Sequence, residues 1–488
     1  MAKPIMIQGT MSNAGKSFFA AGLCRIFSQD GYRCAPFKSQ NMALNSYITK
    51  EGHEIGRAQA MQAEAARTEP SVLMNPVLLK PTTDVGSQVI VNGRPLCNMT
   101  ASEYFSKKRT LIPQIKESYD KLASENDIIV IEGAGSPVEL NLLSDDIVNM
   151  GMARLAESPV LLVGDIDRGG VFPQLLGTLD LFTAEERAMV KGLVVNKFRG
   201  DRSLFDSGVA ILEERGGVDV LGVVPYIRCD IEDEDSLSSK LGQHKRDIIN
   251  IAAVRLPRIS NFTDLDVFSQ YNGVSVQYVT DHHELENADM IVLPGTKSTI
   301  SDMKWLRESG FEAMIKKCAA KGTPVFGICG GFQMLGETIS DPFGSEDGGS
   351  IEGIGMLKCR TVFNKEKRQT RTAGTFCDIE GFYSFLSGSH YEGYEIHMGD
   401  TEVSGSGLLD SGGCCNDNVC GCYIHGIFDD EQVSEKIVRE LFKKKGLDYM
   451  GGVTDRRKYK EQQFDILAAG IRNSIDIDKL YGIIERGI

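Results

Sequence analysis

Residues Met6-Ile-Gln-Gly-Thr-Met-Ser-Asn-Ala-Gly-Lys-Ser17 carry the reading of the first half of the chain. An apolar run, Pro4–Gln8, leads into them, and a helix-compatible segment, Lys16–Gln29, follows. A glycine-rich turn between a buried strand and a helix is the context of a phosphate-binding loop. Small residues let backbone N–H groups turn inward around phosphate oxygens, and the helix N-terminus adds partial positive charge. Gly9, Thr10, Asn13, Ala14, Gly15, Lys16 and Ser17 are the predicted ATP-binding residues. Lys16 reaches the outer phosphates in this reading, and Ser17 ligates Mg²⁺. Gly9 and Gly15 are separated by five residues, one more than in the common pattern.

Outward from this loop, apolar runs recur at Asp127–Ile131, Pro159–Val163 and Gly192–Val195, with helix-compatible segments such as Ile55–Ala66 between them. That alternation predicts parallel βαβ units. Asp127–Ile131 ends in Glu132-Gly-Ala-Gly-Ser136, which puts a carboxylate at a strand end, the place for a second Mg²⁺ ligand. Other polar clusters sit at likely strand ends: Lys38-Ser-Gln-Asn41, Lys80-Pro-Thr-Thr-Asp84, Asp165-Ile-Asp-Arg-Gly-Gly170 and Asn196-Lys-Phe-Arg-Gly-Asp201. Ligands bind at the carboxyl edge of such sheets. Lys38, Gln40, Asn41, Lys80, Arg168, Lys197 and Arg199 are therefore candidates for gripping an anionic substrate.

A polar stretch after Tyr226 divides the chain, and a second α/β series begins at Ile248–Val254 and continues through Val274–Val279, Met290–Leu293 and Pro324–Ile328. The expected architecture is α/β with two doubly wound domains. Residues 1–230 form the ATP-binding domain, 231–247 a linker, 248–446 a second domain and 447–488 a helical C-terminal tail.

The second domain holds its own chemistry. Thr323-Pro-Val-Phe-Gly-Ile-Cys-Gly-Gly-Phe-Gln333 runs from a buried strand through Gly-x-Cys-x-Gly into a helix. That is a nucleophile elbow with cysteine in place of serine. Cys329 is the predicted nucleophile. His425, in Tyr423-Ile-His-Gly-Ile427, is its predicted proton-transfer partner, with His397 as competitor. In Leu293-Pro-Gly-Thr-Lys-Ser298, Gly295 is placed to offer an N–H to an oxyanion, with Gly330 offering the second.

The long loop at Gly9–Gly15 resembles the dethiobiotin synthetase group of P-loop proteins. The Cys329, His425 and Gly295 segments resemble class I glutamine amidotransferases. Many of those carry a glutamate two residues after the histidine, where this chain has Ile427, leaving the third catalytic group open. The combination, with Pro36-Phe-Lys-Ser-Gln-Asn-Met42, Met74-Asn-Pro-Val-Leu-Leu-Lys-Pro81, Gly164-Asp-Ile-Asp-Arg-Gly-Gly-Val-Phe172, Asn196-Lys-Phe-Arg-Gly200, Arg258-Ile-Ser-Asn-Phe-Thr-Asp-Leu-Asp266 and Gly393-Tyr-Glu-Ile-His-Met-Gly399, resembles the cobyric acid synthase family over nearly the whole chain. The resemblance implies ATP- and glutamine-dependent amidation of the b, d, e and g carboxylates of adenosylcobyrinic acid a,c-diamide, through acyl phosphates and a glutamyl thioester on Cys329. Its rivals are an a,c-diamide synthase, another polyacid amidotransferase, and a partitioning-type ATPase switch with a non-catalytic second domain.

Composition narrows the classes. The formal net charge of −14 argues against nucleic-acid or anionic-membrane binding. No apolar run is long enough to span a membrane. Twelve scattered cysteines in a long chain without an apolar leader predict a reduced, cytoplasmic protein. Cys414, Cys415, Cys420 and Cys422 read as an exposed loop entering the His425 strand. Glutamine and a corrinoid are the expected partners, and a homo-oligomer is left open.

Overall fold

In a computed structural model, residues 2–82, 86–141, 146–231, 246–346, 348–451 and 455–488 are described. Most of the expected linker, and Asp84 of the Lys80 cluster, lie outside them.

The first half is built on a six-stranded parallel sheet ordered Val220–Pro225, Val190–Phe198, Val160–Asp165, Lys3–Gly9, Ile128–Glu132, Cys34–Phe37. The central runs are apolar throughout because both faces are covered: Ile5, Met6 and Ile7 are fully buried, as are Ile129, Val130 and Ile131. The phosphate-loop segment leaves the carboxyl end of the central strand. Glu132 and Asp165 end the two strands flanking the central one at the same edge, and Asn196, two residues before the end of the next strand, is in register with Asp165.

One face of this sheet is covered from far along the chain. The helices Arg456–Arg472 and Ile477–Arg486, expected as a tail, pack back on the first half. Phe464, Leu467, Ile471, Leu480 and Ile483 join one apolar cluster with Ile5, Ile7, Phe19, Leu23 and Ile26. Arg25 is buried on this seam and paired with Glu461 and Asp465, both at 2.8 Å. The sequence showed the helical spacing of this segment but not its destination, since an apolar helix face does not name what it packs against.

Between the strands Cys34–Phe37 and Ile128–Glu132 the chain inserts a four-stranded sheet, ordered Gln40–Met42, Val77–Pro81, Gly86–Val91, Arg94–Thr100, and a short hairpin, Ser46–Ile48 with Glu54–Gly56. These strands are short and the outermost is largely exposed, so apolar periodicity did not resolve them, although Asn92-Gly93, both at positive φ, marks the turn between Gly86–Val91 and Arg94–Thr100.

The second half carries five parallel strands ordered Val274–Val279, Ile249–Val254, Met290–Leu293, Val325–Ile328, Val419–Cys422. Two antiparallel strands, Gly412–Asn416 and Ser406–Leu409, extend it. Of the late cysteines, Cys414 and Cys415 lie on this extension, and Cys420 and Cys422 lie on the parallel strand beside it. Cys414, Cys415, Cys420 and Cys422 are buried on paired strands, which corrects the expected exposed loop: a thiol packs as a small apolar group. A long hairpin, Cys359–Thr375 with His390–Val403, reaches towards the first half, where Tyr394 and Ile396 join Tyr47, Ile48, Ile55 and Ala60 in one apolar cluster. Among the described residues no helix is long and apolar enough to cross a membrane.

Candidate active sites

The phosphate-loop segment opens on a cavity of about 930 Å³ at the carboxyl edge of the first sheet. Gly15, at φ +94°, caps the helix Lys16–Gln29, and any side chain there would strike the Asn196 amide at 2.3 Å. That close approach and the left-handed backbone both require glycine. Lys16 is buried, and its Nζ donates to the carbonyls of Met11 at 3.0 Å and Gly135 at 2.9 Å, which holds the ammonium against the loop. Asn196 Nδ2 donates to the Ala14 carbonyl at 3.0 Å and braces the turn.

Glu132 is the hub of this site. It is 1% exposed and accepts hydrogen bonds from Ser17 Oγ at 2.8 Å, Lys38 Nζ at 2.9 Å and Gln62 Nε2 at 2.5 Å. Ser17 and Glu132 thus set two oxygens side by side at a helix start, the donor type a hard divalent cation takes. These residues are of the type that fits a Mg²⁺ ion.

Of the substrate candidates, Lys38, Gln40, Asn41, Arg168 and Lys197 line the cavity. Lys197 is paired with Asp165 at 2.8 Å. Two candidates are placed elsewhere. Arg199 is outside the lining, paired with Asp167 at 2.6 Å and lying over the Tyr226 ring. Lys80 points away into a buried ion cluster with Glu54 at 2.9 Å. Alternation along a strand sends neighbouring side chains to opposite faces, and the strand-end position alone did not reveal which face Lys80 takes.

The second site forms at the carboxyl edge of the other sheet. Cys329 sits at φ +52°, ψ −108° between the strand Val325–Ile328 and the helix Gly330–Leu335. A non-glycine residue in this conformation costs about 1–3 kcal/mol and is held there by its surroundings. The helix turns back so closely that a side chain at Gly331 would meet the Leu293 carbonyl at 1.9 Å. The Gly295 segment abuts both partners: a Cβ on Gly295 would lie 3.0 Å from His425 Cε1, and one on Gly330 would lie 2.6 Å from Thr296 Cγ2. The predicted oxyanion residues, the cysteine and the histidine are therefore brought together.

His425 is buried, and its Nδ1 shares a 2.7 Å hydrogen bond with Asp264 Oδ2. The other Asp264 oxygen accepts from the Gly426 N–H at 3.0 Å. Burial alone would lower the imidazole pKa, but the Asp264 carboxylate outweighs it and, with the Cys329 side chain adding, raises it to about 10. Asp264 thus occupies the place beside His425 for which the sequence offered no residue. Ile427, which stands where many class I domains have glutamate, is fully buried in the core. Asp264 lies in the quoted stretch Arg258–Asp266, but 161 residues from His425, and no local spacing pairs them. His397 is engaged at both ring nitrogens, by the Gly399 carbonyl at 2.7 Å and Glu395 at 3.2 Å.

The two sites are joined by direct contacts between the halves. Ser46 N donates to Asn261 Oδ1 at 3.0 Å, and Tyr394 Oη donates to the Ser46 carbonyl at 3.1 Å. Tyr394 also pairs its backbone with His425 and stacks on the imidazole. Ser298, three residues beyond Gly295, donates to the Thr82 carbonyl at 3.3 Å.

Comparison with known proteins matches both halves. The model of the CobQ/CobB/MinD/ParA nucleotide binding domain matches residues 5–237, and that of the CobB/CobQ-like glutamine amidotransferase domain matches residues 250–433. The chain is 53% identical to a cobyric acid synthase of Ruminiclostridium cellulolyticum, with 100% of this chain and 98% of that protein covered. It is also 53% identical to one of Lachnoclostridium phytofermentans, with both chains covered in full (100%). For one of Streptococcus sanguinis the identity is 47%, with 100% and 99% covered. With a nucleotide-binding half and a glutamine amidotransferase half in one chain, matched over its full length, this ATP-dependent carbon–nitrogen ligase with glutamine as amido donor belongs to the cobyric acid synthase family.

Proposed function

We propose that the chain converts adenosylcobyrinic acid a,c-diamide to adenosylcobyric acid by amidating its b, d, e and g carboxylates. The observation that carries this reading is the Cys329–His425–Asp264 group built against the half that holds the phosphate-loop cavity. A carboxylate is a poor electrophile. Transfer of the ATP γ-phosphoryl group to a carboxylate oxygen makes an acyl phosphate and releases ADP. Ammonia then attacks the acyl carbon and phosphate leaves, giving the amide. The charge moved in the first step falls to Lys16 and the loop N–H groups. Mg²⁺ held by Ser17 and Glu132 would neutralise phosphate charge. Lys38, Arg168 and Lys197 give the cavity its positive side chains for a polycarboxylate.

In the second site the Cys329 thiolate attacks the glutamine side-chain amide. The Gly295 and Gly330 N–H groups face the oxyanion, His425 gives its proton to the departing ammonia, and water later releases glutamate from the thioester. Mass spectrometry of the corrinoid after incubation with ATP, Mg²⁺ and glutamine tests the reading. Four successive carboxylate-to-amide steps are expected. Amidation only of the precursor lacking the a and c amides assigns the chain to the earlier diamide step. No glutamine hydrolysis with corrinoid and ATP present favours a switch ATPase.

Asp264 sets the pH range of the second site. A histidine whose pKa is raised keeps its proton below the raised value and loses it as pH climbs through it. Glutaminase activity should therefore hold through the mildly alkaline range and fall only towards pH 10. In Asp264→Asn the upward pull is lost while burial remains, so the alkaline limb should move down by several pH units. At pH 8 kcat should fall about 10²–10⁴-fold. An unmoved limb in the pH–rate profile removes Asp264 from this role.

A further inference from the structure

A buried ion cluster lies on the joint between the halves, outside both sites. Glu54 is its centre, with a side chain 0% exposed. One Glu54 oxygen accepts from Lys80 Nζ at 2.9 Å, and the other from Lys367 Nζ at 2.6 Å and Gln369 Nε2 at 2.7 Å. Lys80 and Lys367 are 5% and 6% exposed. Glu54 and Lys80 come from the ATP-binding half, on the hairpin Glu54–Gly56 and the strand Val77–Pro81. Lys367 and Gln369 come from the long hairpin of the other half. Its register with the opposing strand slips between Phe363 and Arg368, an irregularity of the kind that re-aims a side chain.

The cluster touches the surroundings of both sites. On one side is Lys297, two residues past Gly295, whose ammonium feels Glu54, Lys80 and Cys329. On the other side, the strand bearing Lys80 pairs with Gln40–Met42, and Gln40, Asn41, Met42, Ala43 and Leu44 line the ATP-site cavity. Ammonia made at Cys329 must reach that cavity unprotonated, because ammonium has no lone pair with which to attack an acyl phosphate.

We propose that the Glu54–Lys80–Lys367 cluster, with Lys297 at its entrance, forms the neck through which ammonia passes between the two sites, and that its crowded lysines admit ammonia and exclude ammonium. The inference rests on the amidation reading above. An ammonium ion is a lysine head group without its stem, so a setting that disfavours a lysine charge disfavours ammonium too. Burial lowers Lys367 to about 7 even though Glu54 opposes it, and Lys80 and Lys297 push the same way as burial. Lys297 is lowered by burial and by Lys80, against Glu346 and Glu54. Glu54 stays ionised, since burial is outweighed by Lys367 and Lys80. Neutral ammonia meets no such charge penalty and finds hydrogen-bonding groups along the way.

The test is the ratio of glutamine hydrolysed to amide formed, measured in the full-length protein with ATP, Mg²⁺ and the a,c-diamide. In the wild type the ratio is expected near one. In Lys367→Met it should rise about five-fold or more, with the excess ammonia appearing in solution, while amidation supported by ammonium chloride stays within about two-fold. Lys297→Met, which leaves the Glu54–Lys80–Lys367 contacts in place, should raise the ratio in the same direction and serves if Lys367→Met does not fold. A plain structural clamp would lower both ammonia- and glutamine-supported synthesis together and leave the ratio unchanged. An unchanged ratio in the folded variants overturns the neck but leaves the amidation reading standing. Absence of amide from the wild type with either nitrogen source overturns both.

Discussion

Cys329→Ala is expected to lose glutamine-supported amidation by about 10⁴–10⁶-fold, the scale of removing a covalent nucleophile, while amidation supported by free ammonia continues. The separation follows from the architecture. Cys329 stands on the sheet of the second half, and nothing in the phosphate-loop cavity is built from it. Alanine keeps the Cβ and adopts the strained φ as readily as cysteine does, so the elbow should hold its shape. The sulfur lies a long 3.8 Å from the Ile396 carbonyl and beside the His425 imidazole, so its removal should cost little packing. Rates with glutamine and with ammonium chloride, measured side by side, decide the matter. Loss of both would mean that the two sites do not act as separable half-reactions.

Lys16→Ala is expected to lose synthesis with either nitrogen source, by about 10³-fold, because the group removed meets charge that develops on the transferring phosphoryl. Lys16 is buried at the start of its helix, and its ammonium sits between the Met11 and Gly135 carbonyls, where the glycine-rich turn and the Glu132 strand end meet. No other described lysine makes both contacts. The thermal midpoint should change little, since the substitution leaves the helix Lys16–Gln29 with a good helix former. Unchanged synthesis would take Lys16 out of the ATP site. The two variants together form a diagnostic pair: one is rescued by ammonia and the other is not.

The parts of this protein that were legible in the sequence are those whose chemistry is local. The strand runs at Val274–Val279 and Met290–Leu293 fall where the apolar pattern put them; Met290–Leu293 is fully buried, and such a strand declares itself by composition. The two glycine-bracketed elbows declare themselves as well, because backbone that must turn sharply or approach a ligand tolerates few other residues. The long hairpin Cys359–Thr375 with His390–Val403 was not legible. Its faces are half-polar, and its apolar residues are divided between the joint, where Tyr394 and Ile396 pack, and the core of the second half, where Phe363 and Tyr391 pack.

What the sequence determined by itself is the list of reactive groups and the turn each one occupies: Lys16 and Ser17 at a helix start, Cys329 on an elbow, His425 beside a strand end. What only the tertiary structure decided is their company. Asp264 reaches His425 across 161 residues, Lys80 turns from the anion cavity to Glu54, and the last two helices return to cover the first sheet. A side chain's local context sets its conformation, but its charge state and partners are set by what packs against it. For this chain some of those partners lie far along the sequence, as Asp264 does from His425, and some in the other half of the molecule, as Lys367 does from Glu54.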